Sequence, residues 1–128
     1  IHKPFIQIAA ILGALSVALG AFAAHGLKEK VSADALQIFE TGVRYQFYHV
    51  FALAVTGIVF SFANQKLIKF AGIFFILGII LFSGSLYALT FAVNAGNTGV
   101  EKIGIVTPFG GVCFILGWLL LAFSLAKK

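Results

Sequence analysis

The residues that could carry chemistry gather in one stretch of the sequence, around a histidine. Glu40, Arg44 and Tyr48 recur at four-residue spacing, so they share one helix face, and Tyr45 and His49 form a second such pair beside it. The apolar part of this helix begins at Tyr45, which places His49 ~6 Å inside a membrane. An ionisable side chain there is a candidate for a functional site. We favour the alternative, a neutral histidine hydrogen-bonded to a neighbouring helix.

A second histidine could join this group. His25 lies where the first apolar helix ends, on the side where the next helix begins, so it could approach His49. A metal or haem held by His25 and His49, with Glu40, is conceivable, but two histidines in unrelated segments lack the ligand spacings typical of such sites. Capping of the last carbonyls of the first helix explains His25 more simply. We therefore expect no metal and no cofactor.

Hydroxyl side chains in the second half of the chain form the remaining candidates. Ser83 and Ser85 flank a glycine, but no G-x-S-x-G nucleophile motif surrounds them. We expect these serines to bond across a tightly packed helix pair. Tyr87 and Thr107 lie toward the same membrane face as His49 and are predicted partners for its ring nitrogens. The absence of catalytic motifs predicts a protein that is not an enzyme.

Four apolar runs must position these residues. They cover residues 4–24, 45–62, 67–93 and 108–126. Each is about long enough for the ~30 Å hydrocarbon layer, and the length of the first favours a membrane span over a signal peptide. The polar stretch 25–43 leads into the second helix, which Ser32 or Asp34 can cap. Thr107 and Pro108 are typical of a helix start, as N-cap and first helical residue.

Composition independently indicates a membrane protein. The chain is 61% hydrophobic and 10% charged, whereas a soluble domain carries roughly 25% charged residues to solvate its surface. The net charge of +5 agrees with an excess of Lys and Arg in cytoplasmic loops, and no motif for nucleic-acid binding is present. We predict an all-α fold, an integral membrane four-helix bundle with a polar first loop that runs into the second helix. Residues 1–128 form a single transmembrane domain.

Small residues and the lone tryptophan predict how the bundle packs. In the first span, Ser16, Gly20 and Ala24 form one row at four-residue spacing, and Ala10 and Ala14 form another. Such rows let helices approach closely in lipid. We expect a packing seam inside the chain and not a homodimer face. Trp118 lies in the middle of the fourth run, so its indole N–H is expected to find a partner within the bundle.

Four ordered motifs resemble one family of small bacterial membrane proteins. They are GAFAAHGLK at 20–28, FETGVRYQFYH at 39–49, LFSGSLY at 81–87 and GIVTPFGG at 104–111. The pattern resembles the domain of unknown function 423 family, which is similar to eukaryotic transmembrane protein 256. One departure is Ala23, where the family pattern often has glycine. The resemblance spans nearly the whole chain. It implies a four-helix fold in the bacterial inner membrane and carries no activity with it.

Two functions from different classes remain open. We favour a non-enzymatic structural or accessory subunit of the inner membrane, which lies in the lipid bilayer within a larger membrane complex or a homo-oligomer. The alternative is a small oligomeric transporter or channel that uses His49 and neutral polar groups, because every acidic residue lies in a loop or at a helix edge.

The distribution of positive residues predicts the orientation. The side that holds both termini carries Lys3, Lys66, Lys69, Lys127 and Lys128, and the other side carries Lys28, Lys30, Arg44 and Lys102. Cytoplasmic loops carry the excess of Lys and Arg. We therefore predict that both termini are cytoplasmic.

Overall fold

The computed structural model describes residues 1–96 and 99–126, which are helical over nearly their whole length. The helices are Lys3–Ala24 (α1), Ala33–Val59 (α2), Gln65–Gly78 (α3), Gly84–Asn94 (α4) and Val100–Ala126 (α5). Short 3-10 turns, Leu27–Glu29 and Phe60–Phe62, follow α1 and α2, and a π-helical turn, Ile79–Ser83, joins α3 to α4. Four units are therefore long and apolar enough to cross a membrane: Lys3–Glu29, Ala33–Phe62, Gln65–Asn94 and Val100–Ala126, the first to fourth spans. The predicted all-α, four-span fold is confirmed.

Polar side chains set where the middle helices begin. Ser32 Oγ accepts the backbone N–H of Ala35 at 3.2 Å. Asn64 Oδ1 accepts the backbone N–H of Leu67 at 3.1 Å. Each cap satisfies an N–H group that has no partner within its own first turn. Of the two caps predicted for the second span, the structure uses Ser32, and Asp34 lies in the first turn.

The predicted start of the fourth span is wrong. The helix begins at Val100, and Pro108 lies inside it. A proline in a helix interior removes one hydrogen bond, yet the helix continues through Pro108. Beside the proline, the Thr107 hydroxyl bonds to Ser85 on the third span at 2.5 Å. Gly96, after the end of α4, has the left-handed φ of 68° that commonly follows a helix. Residues 97 and 98 lie outside the described residues.

Each span packs mainly against its neighbour in the sequence, so the third span lies between the second and the fourth. The third and fourth spans interlock in a reciprocal way. The ring of Phe75 occupies the space that a side chain at Gly117 would need, and the ring of Phe114 does the same at Gly78. Glycines therefore let aromatic rings of one span reach the backbone of the other.

The seam between the first two spans differs in part from the predicted rows. Ala9, Ser16 and Ala23 are buried, and Gly13 and Gly20 lie between them along the same seam. Ser16 and Gly20 are confirmed as seam residues. Ala10, Ala14 and Ala24 are exposed, so their predicted place in the seam is wrong. A spacing of four drifts ~40° around the helix at each step, whereas alternating spacings of four and three stay on one face.

The loop after the first span is tied to the end of the third. Asn94 Oδ1 accepts the backbone N–H of Ser32 at 2.9 Å. Its amide nitrogen donates to the carbonyl oxygen of Lys30 at 3.4 Å. One asparagine thus holds the predicted polar first loop in place at this membrane face.

Candidate functional site

His49 lies at the centre of the candidate site, on the second span and against the fourth, with 4% of its surface exposed. Its Nδ1 lies 2.7 Å from the carbonyl oxygen of Tyr45, and its Nε2 lies 3.0 Å from Trp118 Nε1. An indole N–H can only donate, so Nε2 accepts, and Nδ1 is assigned the proton that it donates to Tyr45. A neutral imidazole satisfies both bonds. The predicted bundle partner of Trp118 is confirmed, and it is His49.

Aromatic rings from two other spans hold His49 in this orientation. Phe114 stacks on the imidazole with ring centroids 3.5 Å apart and planes at 8°. Phe75 lies 5.9 Å from the imidazole centroid and meets the Trp118 ring edge-on at 5.3 Å. The histidine is therefore confined by rings, and its two polar atoms are used by the protein itself.

A groove of about 490 Å³ lies beside His49, between the second and fourth spans. Its lining residues are Tyr45, Tyr48, His49, Phe82, Gly111, Phe114, Ile115 and Trp118. Nearly all of this surface is apolar or aromatic. Within the described residues, the hydroxyls of Tyr45 and Tyr48 have no hydrogen-bond partner. A concave apolar surface with a few polar groups at one place is the usual form of a site for a hydrophobic ligand.

Gln46 links three spans and is absent from the predicted site residues. It is 1% exposed, and its amide nitrogen donates to the carbonyl oxygen of Leu12 in the first span at 3.2 Å. Its Oε1 accepts the hydroxyl proton of Tyr87 in the third span at 2.5 Å. The prediction that Tyr87 bonds to His49 is therefore wrong. The sequence does contain a signal for Gln46, which is a side-chain amide within an apolar run. Such a group must find hydrogen-bond partners inside the protein when it lies in lipid.

Replacing Gln46 by leucine is expected to lower the free energy of unfolding by ~1–3 kcal/mol, because the half-buried Tyr87 hydroxyl loses its acceptor. Adding Tyr87→Phe removes that hydroxyl, so the double variant should be more stable than the two single losses together imply. Equilibrium unfolding in mixed micelles, followed by far-ultraviolet circular dichroism, measures this. Gln7→Leu on the exposed face of the first span is the control. If Gln46→Leu and Gln7→Leu lowered the free energy of unfolding equally, the bonds from Gln46 to the first and third spans would be contradicted.

Hydroxyl groups connect the third span to both of its neighbours. Ser83 Oγ donates to the carbonyl oxygen of Gly42 at 2.7 Å, and Ser85 bonds to Thr107. The prediction that both serines bond across packed helices is confirmed. The predicted contact of Thr107 with His49 is wrong, because Thr107 lies seven residues, ~10 Å along the helix, from the Phe114 ring that stacks on His49.

Comparison with known proteins shows where this chain belongs. Residues 19–111 match the family described as protein of unknown function (DUF423). The chain is a member of this family. The UPF0382 membrane protein YwdK of Bacillus subtilis (strain 168) is 40% identical over 130 residues, which cover 98% of this chain and 98% of the relative.

Further relatives agree over the same length. The UPF0382 membrane protein SAB0533 of Staphylococcus aureus (strain bovine RF122 / ET3-1) is 39% identical, with 98% of this chain and 97% of the relative covered. A UPF0382 membrane protein of Haemophilus influenzae is 39% identical, with 97% and 94% covered. No solved structure matches the chain. These names confirm a membrane protein and assign no activity to the DUF423 family.

His25 ends the first helix of this DUF423 member, as predicted. Its backbone N–H, and not its side chain, bonds to the carbonyl oxygen of Ala21 at 3.2 Å, so the predicted capping by the histidine side chain is wrong. His25 also lies far from His49. Gly20 lies against Val43, and in an antiparallel pair His25 is then level with about residue 38. Eleven residues of helix, ~16 Å, separate that level from His49, so one metal ion or haem cannot bind both histidines. Among residues 1–96 and 99–126, no three His, Cys, Asp or Glu side chains come together as a metal site.

Glu40 and Arg44 share an exposed face, as their spacing predicts, and line a shallow polar groove with Gln37 and Thr41. The described part of the chain contains no ion pair between them. Both also line a small pocket against Gly20 and Ala23 of the first span, but neither makes a side-chain hydrogen bond or ion pair to another span within the described residues. The polar contacts between spans come from Gln46, His49 and the hydroxyl groups.

Proposed function

We propose that the protein is a non-enzymatic structural or accessory subunit of the bacterial inner membrane and that it binds its partner through the outer face of the first span. One observation carries this proposal. Ala10, Ala14 and Ala18 are all exposed and recur at four-residue spacing. Small residues in such a row allow the backbone of another helix to approach closely in lipid. A partner helix therefore has a flat surface to pack against.

The burial of the spans supports the same face. The most apolar part of the first span is 17% buried, against 39%, 39% and 28% for the second, third and fourth spans. The first span packs chiefly against the second, so most of its circumference is free for a partner. Gln7 lies one turn before Ala10 on the exposed side, and its amide provides a donor and an acceptor near the membrane edge.

The interior supports a structural role over a transporter. Within the described residues, every buried side-chain nitrogen and oxygen has a hydrogen-bond partner. A proton carrier needs an ionisable group that exchanges protons along a hydrated path. His49 instead contacts the rings of Phe114 and Phe75 and uses both nitrogens in bonds within the protein. The channel alternative therefore has no observation of its own in its favour.

We further infer that both termini face the cytoplasm. The end of the bundle near the N-terminus carries Lys3, Lys66 and Lys69, whereas Lys127 and Lys128 lie outside the described residues. Counted from the sequence, this end has five Lys and Arg residues when Lys127 and Lys128 are included, against four at the opposite end, and this small excess supports the orientation. A C-terminal green fluorescent protein fusion should fluoresce, and an alkaline phosphatase fusion at the same place should be inactive. The reverse pattern would overturn the inference.

Photocrosslinking in cells tests the partner surface. A photoreactive amino acid in place of Ala14 should yield an adduct with another protein, which mass spectrometry identifies. The same amino acid in place of Phe123, an exposed residue of the fourth span, is the matched control and should yield none. An adduct between two copies of this chain would show that this face binds a second copy in a homo-oligomer, and this would contradict binding to a different partner protein. The absence of any adduct at Ala14 would overturn the proposal.

A further inference from the structure

We propose that the groove between the second and fourth spans binds an anionic phospholipid, with the phosphate at Arg44 and an acyl chain along Trp118. This lipid site lies on a different surface from the partner face of the first span and does not depend on it. Charge, polarity and depth along the groove carry the proposal, and each favours a lipid of this kind.

Arg44 provides the charge. Its side chain is exposed, and no ion pair engages it within the described residues. A guanidinium inside the hydrocarbon would cost ~2.5–3.5 kcal/mol on insertion scales, so it extends to the headgroup layer. There it can bind a phosphate with two parallel N–H donors. Arg44 is not itself a lining residue of the apolar groove, but it lies one turn outward from Tyr48 on the same helix face. A phosphate bound by Arg44 therefore lies beside the Tyr48 end of the groove.

Two tyrosines provide the polar entrance below Arg44. The rings of Tyr45 and Tyr48 meet edge-on at 5.6 Å and line the groove. Tyrosine is typical of the membrane interface, where its ring lies in lipid and its hydroxyl meets polar groups. The two hydroxyls have no partner within the described chain. The ester oxygens of a phospholipid lie between phosphate and acyl chain and can accept hydrogen bonds from both.

Depth matches an acyl chain. Phe114 stacks on His49, so these two residues are level with each other. Arg44 lies five residues to one side of this level and Trp118 four residues to the other, which gives ~14 Å from Arg44 to Trp118. Half of a ~30 Å hydrocarbon layer has nearly this thickness. A lipid whose phosphate binds Arg44 therefore places its chain along Ile115 and Trp118.

Glu40 is the acidic residue nearest to this site. It lies one turn outward from Arg44, is exposed and lines the same shallow polar groove as Arg44. Tyr48 lies one turn inward from Arg44, so a phosphate near Tyr48 is closer to Arg44 than to Glu40. An anionic headgroup therefore meets Arg44 first. A choline headgroup adds a positive charge that Arg44 repels, which favours an anionic over a zwitterionic lipid.

Trp118 reports on the groove directly because it is the single tryptophan of the chain. The protein is reconstituted into vesicles of unbrominated phosphatidylcholine. Two series then contain increasing fractions of a lipid with brominated acyl chains, either phosphatidylglycerol or phosphatidylcholine, and the quenching of Trp118 fluorescence is measured in each. Brominated phosphatidylglycerol should bind with an apparent affinity about three- to fivefold higher than brominated phosphatidylcholine, as expected for one cation at the membrane surface. Inorganic phosphate in the buffer should leave this ratio unchanged.

Three variants, each checked for helix content, test whether Arg44 causes the preference for the anionic lipid. Arg44→Gln should bring the ratio to about one, whereas Glu40→Gln should keep or raise it. Lys28→Gln removes another exposed cation away from the groove and should leave the ratio as in the wild type. Equal quenching by both lipids in the wild type would overturn the proposal, as would a preference that survives Arg44→Gln. If neither brominated lipid quenched Trp118 fluorescence, protein would cover the groove, and this result would also contradict a lipid site.

Discussion

Gly110→Ala is expected to lower the free energy of unfolding by ~3 kcal/mol, at the upper end of the cost of overpacking. A Cβ at this position would overlap the backbone nitrogen of Phe82 and lie 2.7 Å from its Cα. Backbone atoms cannot rotate away as a side chain does, so the third and fourth spans must separate. The higher helix propensity of alanine opposes this by only ~1 kcal/mol. The clash therefore outweighs the gain in helix propensity, and the net effect of Gly110→Ala is destabilising.

Gly84→Ala is the matched control, because nothing lies within 4 Å of a Cβ there. That variant should gain up to ~1 kcal/mol from helix propensity. Both variants are measured by equilibrium unfolding in mixed micelles. If Gly110→Ala were as stable as Gly84→Ala, the close approach of the third span to Gly110 would be refuted.

His49→Leu is the second change with a large expected effect, a loss of ~1–3 kcal/mol. It leaves the Trp118 indole N–H without an acceptor inside the bundle. His49→Gln should be milder, since an amide oxygen can accept that proton. Combined with Trp118→Phe, His49→Leu should show a coupling energy of ~0.6–1.7 kcal/mol, the range for hydrogen bonds between membrane helices.

His25→Leu is the control for that cycle, because His25 is exposed and makes no side-chain bond in the described residues. It should leave stability nearly unchanged. A zero coupling energy between positions 49 and 118 would rule out the hydrogen bond. If both His49 variants kept full stability but abolished proton or cation flux in proteoliposomes, His49 would belong to a transport site and the structural role would fail.

Features that depend on local sequence were predictable here. The four spans follow from long apolar runs, and the Ser32 cap follows from a residue type that satisfies the first N–H groups of a helix. The family motifs, one of which covers residues 39–49, implied the same four-helix membrane fold as the apolar runs. The place of Ser16 and Gly20 in the seam was predictable from their size, whereas the exposure of Ala14 depends on which side of the first span faces the second.

Partners across helices could not be predicted, because they depend on the relative register of spans. Tyr87 lies at the predicted membrane face, yet it bonds to Gln46 and not to His49. A shift of one helical turn, ~5.4 Å, is enough to exchange one partner for another. Thr107 likewise bonds to Ser85 of the third span and not to His49, and no local signal in the sequence indicates that partner.

The bridge from Asn94 to Ser32 constrains the order in which the chain can assemble. These two residues are 62 positions apart, so the first loop and the second span leave the ribosome before Asn94 does. Until then, the N–H of Ser32 and the carbonyl of Lys30 must be satisfied by water at the membrane surface. The first loop can adopt its final geometry only after the third span has crossed the bilayer, so its folding depends on polar bonds to a later part of the chain and not on hydrophobic packing of the first two spans alone.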